Sequence, residues 1–145
     1  MSVTPTSPGR ERVGGIELRF LPASSQAVPL ARHALADWLQ DLTPAPTTDD
    51  VVLACSELCT NAVRHTGDEG FTVRAWMDDN RVVIEVENAG DFAGAPGRRP
   101  TLASADFESG RGLFLVEALT DSLEVDQRDG RTVVRCAKRT TLTQP

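Results

Sequence analysis

The apolar residues between Val51 and Val63 constrain this chain more than any other feature. At about 100° per residue, Val51, Val52, Cys55, Leu58, Cys59, Ala62 and Val63 fall on one arc of a helix. An arc that wide has to lie on another layer, and the neighbouring segments supply strands for it. Thr48, Asp49 and Asp50 mark the helix start, with acid where the helix dipole favours it, and Gly67 marks its end. The opposite side carries Glu57, Asn61 and Arg64 at i, i+4 and i+7, flanked by Thr60 and His65. Such a stripe suits a solvated surface. Asparagine is nevertheless a poor interior helix residue, because its amide competes for backbone hydrogen bonds. Its place one turn after a carboxylate hints at a ligand.

The strands show as period-two alternation. IELRFLP reads as a first strand ending at Pro22, and SSQAVPLARHALADWLQDL follows as a helix. In that helix Leu30, Ala34, Leu35, Trp38 and Leu42 recur at helical spacing, Ser24 or Ser25 serves as the cap, and Pro29 falls in the first turn. GFTVRAWMD and RVVIEVEN form a hairpin turning at Asp79-Asn80, and SLEVDQRDGRTVVRCAK forms a second around Asp129-Gly130. Between the hairpins, Ala89 to Ser109 shows no period, and GRGLFLVEALTD reads as a short helix opened by glycines. A structureless loop of that length usually has a task, often as a lid. The boundaries are a flexible tail over 1–15, one domain over 16–140 and a frayed end over 141–145. Paired antiparallel strands with helices to cover them predict an α+β two-layer sandwich, its sheet mostly antiparallel and its helices on one face.

Composition narrows the function. A length of 145 residues fits one domain, and the net charge of −6 argues against binding to nucleic acid or to an anionic membrane surface. No apolar run approaches a membrane span, and no signal-peptide core opens the chain. The cysteines are Cys55, Cys59 and Cys136. That odd count, with two of them one helical turn apart, speaks against a secreted disulfide framework. Buried thiols in a reducing cytoplasm are the expectation.

Two further segments carry chemistry. In ESGRGLFLV, Gly110 and Gly112 bracket Arg111 ahead of an apolar helix. Glycines admit a ligand close to backbone N–H groups, helix N-termini attract phosphate, and a guanidinium forks onto phosphate oxygens. The GxxxxGK[ST] string of a Walker loop is absent. In VENAGD, Asn88-Ala89-Gly90 ends a strand and turns the chain into the long loop.

Together, SELCTNAVRHT, ENAG and GRGLFLV resemble, in order and spacing, the N, G1 and G2 boxes of the GHKL superfamily. This is the Bergerat ATP-binding fold of gyrase, heat-shock chaperones, histidine kinases and mismatch-repair ATPases. The likeness is strongest to its small anti-sigma-factor serine-kinase branch, and it runs from about Ile16 to Lys138.

The resemblance implies a division of roles. Asn61 would coordinate the magnesium ion that bridges the phosphates of ATP, and Glu57 would be the general base toward a serine or threonine hydroxyl. Gly110, Arg111, Gly112 and Leu113 would hold phosphate. Asn88 and Gly90 would meet the base. Phe92 to Ser109, with Arg98 and Arg99, would form the lid. Arg64 and His65 lie close enough to line the site, with no role assigned.

One position departs from the family pattern. The G1 box opens with aspartate, and this chain has Asn88. A hydrogen bond to a charged group is worth about 1.5–3 kcal/mol against about 1 for a neutral one. The expected loss is about 1–2 kcal/mol, near tenfold in affinity. Asp91 lies beyond the turn, and strand alternation points Glu87 away from its neighbours Val86 and Asn88.

By the same resemblance, the partners are a STAS-type anti-sigma factor antagonist as phosphate acceptor, a sigma factor as the alternative partner, and a second copy in a homodimer. The competing reading is a non-catalytic partner-switching module with weak or no ATP binding. A bare ATP hydrolase fits less well, because no second domain is present for it to move.

Overall fold

The computed structural model describes residues 2–5, 13–21, 24–66, 69–89 and 107–141. Six strands form one sheet: β1 (Ser2–Pro5), β2 (Val13–Phe20), β3 (Phe71–Asp78), β4 (Arg81–Ala89), β5 (Ser122–Arg128) and β6 (Arg131–Arg139). Their spatial order is β1-β2-β3-β4-β6-β5, and every ladder is antiparallel. Three helices, α1 (Ala27–Leu39), α2 (Ala45–Thr66) and α3 (Phe107–Leu119), complete a two-layer α+β sandwich. α2 lies on β4 with α1 and α3 against its sides.

Alternation explains which face the helices cover. Leu18 and Phe20 on β2, Phe71, Val73, Ala75 and Met77 on β3, and Val82, Ile84 and Val86 on β4 are all buried. Register sets them side by side: Val73 opposes Val86, and Ala75 opposes Ile84. Val134 and Cys136 continue the layer on β6. From above, α2 presents Val51, Ala54, Cys55, Leu58, Cys59 and Ala62, all buried, so the apolar arc expected from the sequence does pack on the sheet.

Cys55 and Cys59 Sγ lie 3.9 Å apart in this layer, and all three thiols are free. Burial, followed by the nearby Cys55, pushes the Cys136 thiol up to about 12. The reactive thiolate is therefore scarce at neutral pH. A maleimide or disulfide reagent is expected to leave the native protein unlabelled at pH 7 and to label three thiols in denaturant. Fast native labelling would show that the core opens locally.

The other face of the sheet carries charge. Arg74 Nε donates to Glu17 at 2.8 Å, and its Nη1 donates to Glu87 at 2.8 Å and to Glu85 at 3.5 Å. Arg131 also donates to Glu87, and Arg135 donates to Glu85 at 2.6 Å. The Arg135 guanidinium sits 6.0 Å from the centroid of Trp76, which forms a small buried cluster with Val83 and Ala137.

Several local expectations shift. Ser2–Pro5 and Val13–Gly15, expected as tail, are strand, because the open edge of β2 offers unpaired backbone groups to β1. Proline suits the end of such an edge strand. The buried stripe of α1 is Ala27, Ala31, Leu35 and Leu39, and Leu30 is exposed. Neither serine caps α1 by its side chain. Ser24 and Ser25 instead accept the N–H groups of Ala27 and Val28 through their carbonyls. α2 starts at Ala45, three residues before Thr48, with Pro46 in a first turn where its missing N–H costs nothing. Thr48 Oγ1 lies 2.6 Å from Thr43 Oγ1 and bonds the Pro44 carbonyl at 3.2 Å. At the entry to β3, Gly70 has φ 74°, and a Cβ there would stand 2.1 Å from the Phe20 carbonyl oxygen.

Candidate functional site

Register and one ion pair fix the direction of α2. Lys138 opposes Val82 on the helix-facing side, and its Nζ lies 3.4 Å from Asp50 Oδ2 in the early turns of α2. The helix therefore starts over the Val82–Lys138 end of the sheet. From Asp50 to Asn61 it advances about 16 Å. The strand from Val82 to Asn88 advances about 20 Å. Glu57 and Asn61 are thus carried toward the end of β4 that holds Asn88.

The same reasoning places α3. Its last residue, Leu119, leads through Thr120 and Asp121 to Ser122, which pairs with Ala137, and Asp121 N donates to the Ala137 carbonyl at 2.8 Å. The C-terminus of α3 therefore lies at the Lys138 end. Its thirteen residues rise about 20 Å, so its N-terminus lies at the Asn88 end. α3 packs against α2, so all three sequence segments meet at one end of the sandwich.

The expected site residues fall as follows. Glu57 and Asn61 are half-buried, one turn apart on α2, while Arg64 is exposed and His65 belongs to the last turn. Asn88 lies on the helix-facing side of β4, opposite Phe71 on β3, and is 8% exposed. Its Nδ2 donates to the Ala89 carbonyl at 2.9 Å. Glu87 sits on the helix-free face between Arg74 and Arg131. Burial would lift its carboxyl; the hydrogen bonds from the two arginines outweigh burial and hold it below the usual carboxylate range. Gly90, Arg98, Arg99 and the lid from Phe92 through Asp106 lie outside the described residues.

Gly110, Arg111 and Gly112 depart from expectation, because they lie inside α3 rather than ahead of it. The helix begins at Phe107, so its free N–H groups are those of the preceding turn. Each glycine weakens a helix interior by about 1 kcal/mol against alanine, which keeps this end of α3 easy to remodel. Leu113, the next residue, is anchored in the core at 3% exposure.

Sequence reasoning missed Thr132. It opposes Asn88 across the β4–β6 ladder, faces the helices and is 1% exposed. Alternation back from Cys136 and Val134 reveals its face. Only the pairing of strands distant in sequence reveals its neighbour. On the helix-free face, a concavity of about 490 Å³ is lined by Arg74, Glu85, Glu87, Arg131 and Arg135, whose charges are paired with one another.

The arrangement suits a phosphate-bearing nucleotide. It offers a buried polar patch, Asn88 with Thr132, in an otherwise apolar layer. Beside that patch stand a carboxylate and an amide one turn apart, with a helix N-terminus opposite them. An amide oxygen and a carboxylate are hard donors suited to magnesium. No helix among the described residues is long and apolar enough to cross a membrane.

Known proteins resemble this chain in sequence and in fold. An anti-sigma F factor of Caldanaerobacter subterraneus subsp. tengcongensis is 31% identical over 132 residues, covering 85% of this chain and 92% of its own length. The serine-protein kinase RsbW of Bacillus pumilus is 32% identical over 138 residues, covering 85% of each. The crystal structure of the RsbU and RsbW domains of Rv1364c from Mycobacterium tuberculosis superposes with a TM-score of 0.64 at 25% identity. That match covers 89% of this chain and 33% of the longer one. Residues 21–138 match the histidine kinase-like ATPase domain, and the chain belongs to that family.

Proposed function

We propose that this chain binds Mg·ATP at the Asn88 end of the sandwich and phosphorylates a serine or threonine hydroxyl of a STAS-type anti-sigma factor antagonist. A sigma factor is its alternative partner. The observation that carries this reading is the convergence of α2, the end of β4 and the N-terminus of α3 on one site. The names of the relatives, anti-sigma F factor and serine-protein kinase, support a sigma factor as one partner and serine phosphorylation as the reaction. The protein acts in the cytoplasm, as a homodimer.

Asn61 holds the magnesium ion through its amide oxygen. Glu57, one turn earlier, accepts the proton of the attacking hydroxyl, and its half-buried position lets a partner's side chain reach it. Mg·ATP supplies the terminal phosphoryl group for transfer to that oxygen. The free N–H groups of the first turn of α3, just ahead of Gly110 to Leu113, receive the phosphates where the helix dipole is positive, and Arg111 adds its guanidinium. Asn88 meets the base. Arg64 and His65 line the rim, and Gly90, Arg98 and Arg99 belong to the closing loop.

Asn88 in place of a carboxylate favours the competing reading, a partner-switching module without phosphotransfer. Calorimetry with Mg·ATP decides whether the nucleotide site exists. Saturable binding is expected, weakened about tenfold by Asn61→Ala, with the metal dependence reduced in that variant. No binding at millimolar Mg·ATP would overturn the nucleotide site and leave docking as the function.

A further inference from the structure

β5 leaves one side of its backbone without a partner. It stands at the end of the sheet, and among the described residues only β6 pairs with it. Along its free side, alternate residues present N–H and C=O groups outward. The opposite end of the sheet is less open, because β1 spans four residues and ends in Pro5. β5 spans seven residues without a proline.

Register with β6 assigns the two faces of this edge. Leu123 and Val125 oppose Cys136 and Val134 and so turn toward the helices, where they pack on the core without being fully buried. Glu124 and Asp126 oppose Arg135 and Val133 on the helix-free face, and both are exposed. Glu124 has no ion pair among the described residues. α3 rests on β5 and β6, with α2 along one flank. Leu119 packs on the core, whereas Phe114, at 61% exposure, and Glu117 fall about 170° around the helix from it. That exposed flank overlooks β5. Five residues before the end of α3, Phe114 stands level with Glu124 and Val125.

The edge therefore combines free backbone groups, an apolar shelf of Phe114, Leu123 and Val125, and acids on the other side. Acids at an edge repel an acidic strand and attract a basic one. A second copy of this chain, paired antiparallel about Val125, would set Glu124 opposite Asp126, like against like. We propose that the outer edge of β5 takes up an extended segment of a partner protein, basic on one face and apolar on the other, as an added strand. Main-chain hydrogen bonds hold the segment. Its lysine or arginine side chains meet Glu124 and Asp126, and its apolar ones lie beside Leu123 and Val125 under Phe114. Glu57, Asn61 and Asn88 lie on other elements, so docking here does not depend on the nucleotide site.

The test is an NMR titration of the isotope-labelled full chain with a blocked peptide of alternating lysine and valine, as long as β5. Saturable shifts at β5 and around Phe114 are expected, with slower hydrogen exchange of the outward β5 amides. Glu124→Lys should weaken binding about tenfold and Phe114→Ala about fivefold, both at exposed positions that the core does not need. A peptide of alternating glutamate and valine should bind at least about tenfold more weakly than the lysine peptide. Methylating every backbone nitrogen of the lysine peptide keeps its charge, removes its strand donors and should abolish binding. Equal binding of the methylated peptide would reduce the effect to charge attraction and overturn the added strand. Binding indifferent to Glu124→Lys, shifts confined to another surface, or no binding at millimolar peptide would overturn this docking edge.

Discussion

Glu57→Ala is expected to lower phosphate transfer to a STAS-domain acceptor by about 10²–10⁴-fold while leaving Mg·ATP affinity within a few-fold of the wild type. The range is that of a general base removed from a positioned proton transfer. Binding should persist because the contacts proposed for the nucleotide come from Asn61, Asn88 and the start of α3. Stability should persist as well. Glu57 is half-buried on the polar side of α2, opposite the core arc, and alanine is the better helix former. Single-turnover transfer of labelled phosphate, with calorimetry on the same preparation, separates the two quantities. Transfer at the wild-type rate in Glu57→Ala would remove this carboxylate from the chemistry. Loss of both transfer and nucleotide binding would make it a ligand-holding residue instead.

The second large effect belongs to the opposite face. Arg74→Ala is expected to destabilise the fold by about 2–3 kcal/mol, read as a lower urea midpoint at unchanged slope. Arg74 binds Glu17, Glu85 and Glu87 at once, and the Glu85 side chain is only 9% exposed. Without the guanidinium, Glu85 keeps Arg135, Glu87 keeps Arg131, and Glu17 keeps only the exposed Arg19 at 3.7 Å. The value is set below that of a fully buried pair because solvent still reaches most of these side chains. Arg74→Met restores much of the stem packing but none of the charge, so the difference between the two variants isolates packing, and the loss that remains in Arg74→Met against the wild type is the electrostatic part.

The pH dependence has a definite sign. The Glu87 carboxyl is held below its usual range in the folded state, so its contribution is present above the unfolded value, about 4.3. It is lost as pH falls through the folded value. The gap between wild type and Arg74→Ala should accordingly narrow in acid. A gap that stays constant down to the acid transition would assign the effect to packing.

Period was legible in this sequence, and pairing was not. The arc from Val51 to Val63 and the alternation of β3 and β4 are local patterns, and they predicted which side chains are buried. The hairpin turns were local too: Asp129 and Gly130 both take positive φ, as a tight turn requires. The start of α2 was misplaced because Thr48 followed by two acids looks like a helix start, although Pro46 is well suited to a first helical turn. The stripe of α1 was misplaced because Ala27 and Ala31 signal hydrophobic burial more weakly than the exposed Leu30. β1 was invisible because its reason for being a strand is the edge of another. At the site, the spacing of Glu57 and Asn61 was visible in one helix. Thr132 was hidden, since its neighbour Asn88 stands more than forty residues away in the chain.

α2 joins two requirements in one rigid element: its inner arc fills the core, and its outer stripe holds Glu57 and Asn61. One residue inserted between Val51 and Glu57 would rotate everything after it by about 100° relative to everything before. Glu57 and Asn61 would leave their present direction in the same event that exposed Leu58 and Ala62. The length of this segment is therefore fixed twice over. Substitutions can tune either face of α2 separately, whereas an insertion or deletion there would damage folding and binding together.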